Sequence, residues 1–255
     1  MSHGVAVAAA IAGRSLKLIP RVPSTFVPSL VMPLFLTVAM AGAFSGLVLL
    51  PGFPADKSID WFIPMTTLQG GAFAGITTGM GIARDLESGF YDRLLSSPAT
   101  RSALLAGPLL AAVLRAAIPL VILLVIAVAA GANFHGGVAT VGPLAVATLG
   151  MAYVGGAWAI ALALRFKSMQ AAPLMQTGIF LLVFLSTAQM PIHLLTGWLH
   201  TVARFNPMTN VLGLAREGFL GEVTWAGTWP GLVSLGGLAL AATAFAAASM
   251  RKVTP

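Results

Sequence analysis

The 255-residue sequence contains no cysteine, and only 8% of its residues carry a charged side chain. The absence of cysteine excludes disulfide bonds and any metal site built on thiolates. A soluble domain has about 25% charged residues, so this chain lacks the polar surface that water requires. Hydrophobic residues make up 58% of the sequence and the mean hydropathy is +0.92, which indicates a protein folded in a lipid bilayer.

Several motifs that carry chemistry are also missing. The sequence has no G-x-x-x-x-G-K-[ST], so we expect it to bind no ATP through a P-loop. It has no H-E-x-x-H and no G-x-S-x-G, and His193 and His200 have no carboxylate or cysteine beside them. The basic residues are not interleaved with aromatic ones, although the net charge is +7. We therefore predict no enzyme activity, no cofactor or metal bound by this chain, and no nucleic-acid partner.

Six apolar stretches are long enough to cross a hydrocarbon core of about 30 Å as helices, which satisfy their own backbone hydrogen bonds in lipid. The sequence therefore predicts an all-α membrane protein with six transmembrane helices, in a single transmembrane domain that covers residues 1–255. No internal repeat is visible, which disfavours a secondary carrier built from two repeats. The predicted spans cover about residues 26–50, 61–83, 105–130, 141–164, 173–190 and 229–249.

The distribution of lysine and arginine predicts the orientation. With the N-terminus inside, ten of the 14 fall in cytoplasmic segments and three in outer segments, so both termini are expected in the cytoplasm. Residues 5–19 are predicted to form an amphipathic helix at the inner membrane surface. Residues 191–222 are too polar to cross and too apolar for a free loop, which predicts short helices that re-enter the membrane from outside.

The run "RDLESGFYDRLLSSPATR", residues 84–101, holds six of the 21 charged residues. Leu86, Phe90 and Leu94 recur at helical spacing, and Pro98 ends the pattern, so we predict a short cytoplasmic helix over 84–97. It is either a solvated loop at the lipid headgroups or a docking element for a cytoplasmic protein. The balanced signs favour docking, because a membrane-binding helix is mainly basic.

Two of the spans carry polar stripes at helical spacing. Interhelical hydrogen bonds and the wall of a substrate pathway both account for such stripes, and the sequence leaves the two interpretations open. The glycines of "GGAFAG", residues 70–75, predict close helix packing. The stripes consist of Thr66, Gln69, Phe73 and Thr77 in the second span, and of Gln176, Phe180, Val183 and Thr187 in the fifth.

Arg115 lies about ten residues into the third span, where a charge is costly. We expect its side chain to extend to the inner face and to pair with a carboxylate of the 84–92 helix. The alternative is a counter-ion for a charged substrate.

Three segments, in this order, resemble the permease subunits of the type-2 ATP-binding-cassette exporter family, of the daunorubicin-resistance type. They are "RSLKLIPRVPSTF", "RDLESGFYDRLLSSPATRSALLAG" and "MPIHLLTGWLHTVARFNPMTNVLGLAREGFLG". The second usually reads E-x-x-x-G-x-x-x-x-L-x-x-x-P in that family. Asp85, Gly89, Leu94 and Pro98 fit the spacing, with Asp in place of Glu and with Ser88 where the family often has Arg.

The resemblance implies a function that composition does not. Such subunits pair with a second permease, identical or related, in the bacterial plasma membrane. Two copies of a separate cytoplasmic ATPase hold ATP and Mg²⁺ and drive export of a drug, lipid or glycolipid. Whether Asp85 or Glu87 is the critical acid stays open, and a stand-alone six-helix channel or secondary carrier is the alternative. The coupling residues implied are Asp85, Glu87, Gly89, Phe90, Arg93, Leu94 and Pro98.

Overall fold

The computed structural model describes residues 3–17, 27–96, 100–135, 137–221 and 223–253, and these residues form helices, turns and loops without strands. The predicted all-α class is thereby confirmed for this part of the chain. Short 3₁₀ helices lie at Ser45–Leu49, Gly137–Thr140, Met169–Ala171 and Ile192–Leu194. The α-helices are α1 (His3–Lys17), α2 (Pro28–Ala43), α3 (Ser58–Glu87), α4 (Phe90–Leu95), α5 (Arg101–Ala129), α6 (Val141–Phe166), α7 (Ala172–Phe184), α8 (Gly197–Phe205), α9 (Pro207–Leu220) and α10 (Trp225–Val253).

Three helices of the described chain, α5, α6 and α10, are both long enough and apolar enough to cross a bilayer. Helix α3 has 30 residues, about 45 Å, but it is less apolar and most of its surface is buried within the chain. A helix surrounded by protein needs no continuous apolar surface. The result is a multi-pass membrane protein, in which the count of six spans stays a prediction.

The predicted first and fifth spans contain shorter helices than expected. Helix α2 has 16 residues and α7 has 13, which correspond to about 24 and 20 Å. Helix α7 ends at Phe184, although the predicted span continues to residue 190. The side chain of Asn206 donates to the carbonyls of Leu182 and Leu185 at 2.8 and 2.9 Å. Because Asn206 donates hydrogen bonds to these last carbonyls, the helix ends there at a low cost in free energy.

The centre of the fold is the contact between α3 and α6. Gly71, Gly75 and Gly79 repeat every four residues along one face of α3. A Cβ atom at Gly75 would lie 2.1 Å from the carbonyl oxygen of Ala152, and one at Gly71 would lie 2.6 Å from that of Thr148. The two backbones therefore approach closely only because side chains are absent here. The close packing predicted for residues 70–75 is confirmed.

The N-terminal helix α1 packs against protein. Gly107 of α5 lies beneath it, where a Cβ atom would be 2.8 Å from the Cβ of Ile11 and 2.9 Å from the carbonyl oxygen of Ala8. Ala12 is buried. The predicted helix over 5–19 is thus found as His3–Lys17, with residues 18 and 19 outside the described ranges.

The predicted re-entrant segment, 191–222, contains a 3₁₀ turn followed by α8 and α9, and residue 222 lies outside the described ranges. Helix α9 packs against α3, α6 and α10. Its buried face explains why the segment is too apolar for a free loop. That face consists of Met208, Val211, Leu212, Leu214, Ala215 and Phe219.

Candidate functional site

The charged run that begins at Arg84 is divided between two helices. Helix α3 continues through Glu87, and α4 starts only at Phe90, so the predicted single helix over 84–97 is wrong in its bounds. Gly89 has φ +68°, and its N–H donates to the carbonyl of Leu86 at 3.1 Å. Glycine ends helices in this left-handed conformation at low cost, which is why α3 stops here. Pro98 lies outside the described residues.

Asp85 binds the N-terminal helix. Both of its carboxylate oxygens accept hydrogen bonds from Arg14, at 2.9 and 3.0 Å. The guanidinium also lies 4.3 Å from the ring centroid of Phe90. The pKa of Arg14 is raised, first because Asp85 accepts its hydrogen bonds. The side chains are 47% and 25% exposed, so the pair contributes at most about 1 kcal/mol.

Glu87 binds a different part of the molecule. Its Oε1 atom accepts the backbone N–H of Met169 at 2.7 Å and the hydroxyl of Ser168 at 2.9 Å. The pKa of Glu87 is lowered, first by the Met169 N–H and then by the Ser168 hydroxyl. This contact joins the end of α3 to the short connection between α6 and α7. The two acids that the sequence could not distinguish therefore have separate partners.

The short helix α4 is anchored by Tyr91, which the sequence analysis did not select. Tyr91 is 2% exposed, and its hydroxyl donates to the sulfur of Met250 in α10 at 3.9 Å. Burial raises the pKa of this hydroxyl. Phe90 and Leu94 are half-buried, and Arg93 is exposed. The helix thus lies on the protein by its aromatic side and keeps Arg93 accessible.

The accessible side chains at this end of α3 carry both signs of charge. Arg84, Glu87 and Arg93 are exposed, and Ser88 lies between them. Within the described ranges, no group of three His, Asp or Glu side chains is arranged to hold a metal ion. Exposed, mixed charges on a helix–break–helix unit suit contact with another protein. We call this unit, residues 84–95, the Glu87 end of α3.

The second-span stripe lies inside the chain. Thr66 is buried, bonds its own helix and shares a hydrogen bond of 2.7 Å with the hydroxyl of Thr37 in α2. Gln69 is also buried, and its amide atoms have no partner among the described residues. Phe73 packs edge-to-face on Phe180 at 5.2 Å. Thr66 and Phe73 thus connect helices.

The fifth-span stripe has no common environment. Gln176 is exposed on α7, whereas Thr187 lies beyond the end of that helix and is buried. The carbonyl of Thr187 accepts a hydrogen bond from Arg216. The two stripes meet where Phe73 packs on Phe180, but Gln176 and Thr187 lie in different surroundings. A pathway role for the stripes stays a prediction.

Arg115 does not have the partner that the sequence predicted. The sequence predicted a carboxylate of the 84–92 helix, and one of these acids, Asp85, binds Arg14. Arg115 donates instead to the hydroxyl of Thr77 and, at 3.1 Å, to the carbonyl of Ser15. It is 8% exposed, and its Nε atom has no partner among the described residues. The predicted pairing is wrong for Asp85 and Glu87. Helix α1 binds Asp85 through Arg14 and supplies the Ser15 carbonyl to Arg115, and Glu87 binds the connection between α6 and α7. The side chain of Asp92 lies outside the described part of the chain.

A second buried arginine was missed altogether. Arg216 in α9 is 3% exposed and lies 3.5 Å above the ring of Trp61. Its guanidinium donates to the carbonyls of Trp61, Thr187 and Ala188 at 3.2, 2.8 and 2.9 Å. Arg216 is one of the three basic residues that the predicted topology places in outer segments. The one available signal was its position on the apolar face of α9.

Comparison with known proteins bears on the function. Residues 7–220 match the family described as ABC-2 type transporter, which covers most of the chain. The match does not distinguish the daunorubicin-resistance type from other members. No curated protein matches the chain.

Proposed function

The chain belongs to the ABC-2 type transporter membrane family, and we propose that it is the membrane-spanning subunit of an exporter for a hydrophobic or amphipathic substrate, such as a drug, lipid or glycolipid. The family implies partnership with an ABC ATPase subunit, which supplies the ATP and Mg²⁺ sites. In this proposal two ATPases bind beneath two permeases in a bacterial plasma membrane. Each permease has six spans and cytoplasmic termini. The observation that carries the proposal is the exposed, mixed-charge Glu87 end of α3.

Helix α3 is the element that transmits the ATPase motion in this proposal. It is continuous from Ser58 to Glu87, and Gly71, Gly75 and Gly79 hold it against α6. A force applied near residue 87 therefore reaches the middle of the protein through one rigid helix and its closely packed neighbour. The ATPase supplies the contact that differs between the two states, as a population shift requires.

We propose Glu87, and not Asp85, as the acid that responds to the ATPase. Both oxygens of Asp85 are engaged by Arg14, and the side chain is three-quarters buried. Glu87 is exposed, and both of its hydrogen bonds reach Oε1. Asp85 then has a separate task, which is to hold α1 against the end of α3.

Co-purification with a co-expressed ABC ATPase subunit tests the proposal. The wild-type chain carries an affinity tag, and the ATPase is expected to co-purify with it. In vesicles, the wild-type chain is expected to change the rate of ATP hydrolysis by the ATPase. Glu87→Lys is expected to weaken retention or to remove the change in rate, because it reverses an exposed charge at the docking surface. A chain that retains no ATPase, and that transports in vesicles without one, would establish the channel or carrier alternative.

Lys252→Glu is the matched control. It also reverses an exposed charge, near the end of α10, outside the Glu87 end. Retention and hydrolysis are expected to stay close to wild type. An equal loss in both variants would show that the association does not depend on this surface in particular, since the two substitutions change the net charge in opposite directions.

A further inference from the structure

A cavity of about 320 Å³ lies between α1, α3, α4 and α5. The exposed residues Arg14 and Arg84 line one side of it, and the buried residues Thr78 and Arg115 line another. Its volume falls at the lower limit of small-molecule sites, which occupy about 300–1,000 Å³. Glu87 and Arg93, the exposed residues to which the ATPase is assigned, do not line the cavity. Its lining does include five other residues of the Glu87 end of α3: Arg84, Asp85, Phe90, Tyr91 and Leu94.

The charged groups that line the cavity are unequal in number. The described lining contains three arginines and one acid, Asp85, whose two oxygens already accept hydrogen bonds from Arg14. Arg115 is therefore left with the neutral acceptors Thr77 and Ser15. A buried guanidinium is stable when an opposite charge compensates it, and here the described lining offers none.

Two residues that line the cavity each carry one donor that is unpaired within the described chain. The Nε atom of Arg115 and the hydroxyl of Thr78 are buried and have no hydrogen-bond partner in the part of the chain that the structure describes. Arg115 is 8% exposed and Thr78 is 5% exposed. Unpaired buried donors are uncommon, and each one needs a reason. A positively charged donor and a neutral donor on two residues that line one cavity suit an oxyanion with at least two acceptor oxygens.

The rest of the lining is apolar. Ile11, Ile82, Leu104 and Pro108 lie around the polar groups, together with the ring of Phe90. An inorganic anion alone would leave these surfaces without contacts. An anion that carries apolar groups uses both parts of the cavity.

We propose that this cavity binds a phosphate-type oxyanion, with Arg115 and Thr78 as its donors, and that a phospholipid headgroup with its adjoining apolar chains fits it best. The inference concerns binding alone and does not depend on ATP-driven export. It assigns Arg115 a ligand where the sequence predicted an internal carboxylate.

Binding to the purified full-length chain in a neutral detergent tests the inference. The probes are dihexanoyl phosphatidylglycerol, inorganic phosphate and dihexanoylglycerol. The binding of each one is measured by titration calorimetry. Saturable binding of the phospholipid, with none of the dihexanoylglycerol, is expected. Saturable binding of inorganic phosphate alone, with the same response to the variants below, would support the oxyanion site and identify a free anion as its ligand.

Thr78→Val removes one donor and keeps the shape of the side chain. The phospholipid Kd is expected to rise about tenfold or more, because a hydrogen bond to a charged group is lost. Arg115→Gln is expected to abolish saturable binding. The thermal unfolding midpoint of each variant without ligand separates loss of the site from loss of the fold.

Thr148→Val is the control for Thr78→Val. Thr148 is another buried threonine whose hydroxyl has no partner among the described residues, but it does not line the cavity. The Kd of the Thr148→Val variant for the phospholipid is expected to equal that of wild type. The inference is overturned if neither phosphate probe binds saturably, if Thr78→Val binds as tightly as wild type, or if Thr148→Val weakens binding equally.

Discussion

The two ends of helix α3 are held in opposite ways. At the Ser58 end, Asp60 is buried and accepts a hydrogen bond from the backbone N–H of Asn133 at 2.9 Å. Arg216 donates to the carbonyl of Trp61, and its guanidinium lies over the Trp61 ring. At the Glu87 end, the contacts of Asp85 and Glu87 are made by partly or fully exposed side chains. One end is enclosed by protein. At the other, the last turn of α3 is attached by polar contacts that water can replace, and the buried Tyr91 anchors the adjoining α4.

This difference suits a helix that receives a force at one end. Buried hydrogen bonds are costly to break, because each leaves a group without a partner, whereas exposed ion pairs exchange with water at little cost. The Glu87 end can therefore change partners while the Ser58 end keeps its place. A helix held firmly at both ends would resist a force applied at one end, and a helix held weakly at both ends would not transmit that force.

The largest effect is expected in the middle of α3, which both ends share. A Cβ atom at residue 75 would lie 2.1 Å from the backbone oxygen of Ala152, and Gly75→Val adds this atom and two methyl groups. Helix α3 must therefore separate from α6. We expect a loss of about 3 kcal/mol or more, seen as aggregation on size-exclusion chromatography. Gly81→Ala on the same helix meets open space and is expected to unfold at or slightly above the wild-type temperature. Equal behaviour of the two variants would contradict the close approach of α3 and α6 at Gly75.

The next effect compares an arginine from each end. Arg216→Met leaves the carbonyls of Trp61, Thr187 and Ala188 without donors, at about 1–3 kcal/mol for each that stays unpaired. Arg14→Met removes an exposed pair and is expected to cost at most about 1 kcal/mol. Thermal unfolding in detergent should therefore show a much larger decrease for Arg216→Met. Equal decreases would remove the distinction between the two ends.

A smaller effect is expected at the break after α3. Gly89→Ala forces an alanine into φ +68°, which costs about 1–2 kcal/mol. Space is available there, so backbone strain is the sole cause. Gly213→Ala, in α9, also meets open space without a positive φ and serves as the control. Unfolding midpoints that are equal for the two variants would mean that the break at residue 89 is not held in this conformation.

The smallest effect concerns the contact of Glu87 with Met169. The pKa of Glu87 is lowered in the folded protein, so the contact stabilises it above the ordinary carboxyl pKa and is lost as the pH falls through the lowered value. Glu87→Gln is expected to speed hydrogen exchange of the Met169 amide several-fold at pH 7. Glu217→Gln removes a similar carboxylate contact, to the N–H of Thr224, and should leave Met169 unchanged. Unchanged Met169 exchange in Glu87→Gln would contradict the contact.

The sequence predicted the features that depend on local composition. Long apolar runs identified the helices, and the glycines at 70–75 identified the close contact of α3 with α6. The sequence predicted that the helix containing residues 84–87 would end at Pro98, because the charged residues in this stretch are compatible with a helix. Gly89 and its left-handed conformation end α3 sooner.

Contacts between distant residues were not predictable in the same way. Arg14 and Asp85 are 71 positions apart, and Asn206 satisfies the end of α7 from 21 and 24 positions away. Nothing in the local pattern around either residue indicates such a partner. Arg115 shows the consequence, because a carboxylate of the 84–92 helix was predicted as its partner, and Arg14 of α1 binds one of those acids, Asp85.

The central claim is that the Glu87 end of α3 contacts the ATPase. The chain has no cysteine, so one can be introduced at a chosen position and cross-linked within the co-expressed complex. We choose the exposed residues Arg93, at the Glu87 end, and Thr196, in the segment between α7 and α8. We predict that Arg93→Cys cross-links to the ATPase, with a yield that changes when ATP is added, and that Thr196→Cys does not. Cross-linking from Thr196→Cys alone, or from neither position in a complex that co-purifies, would contradict the account.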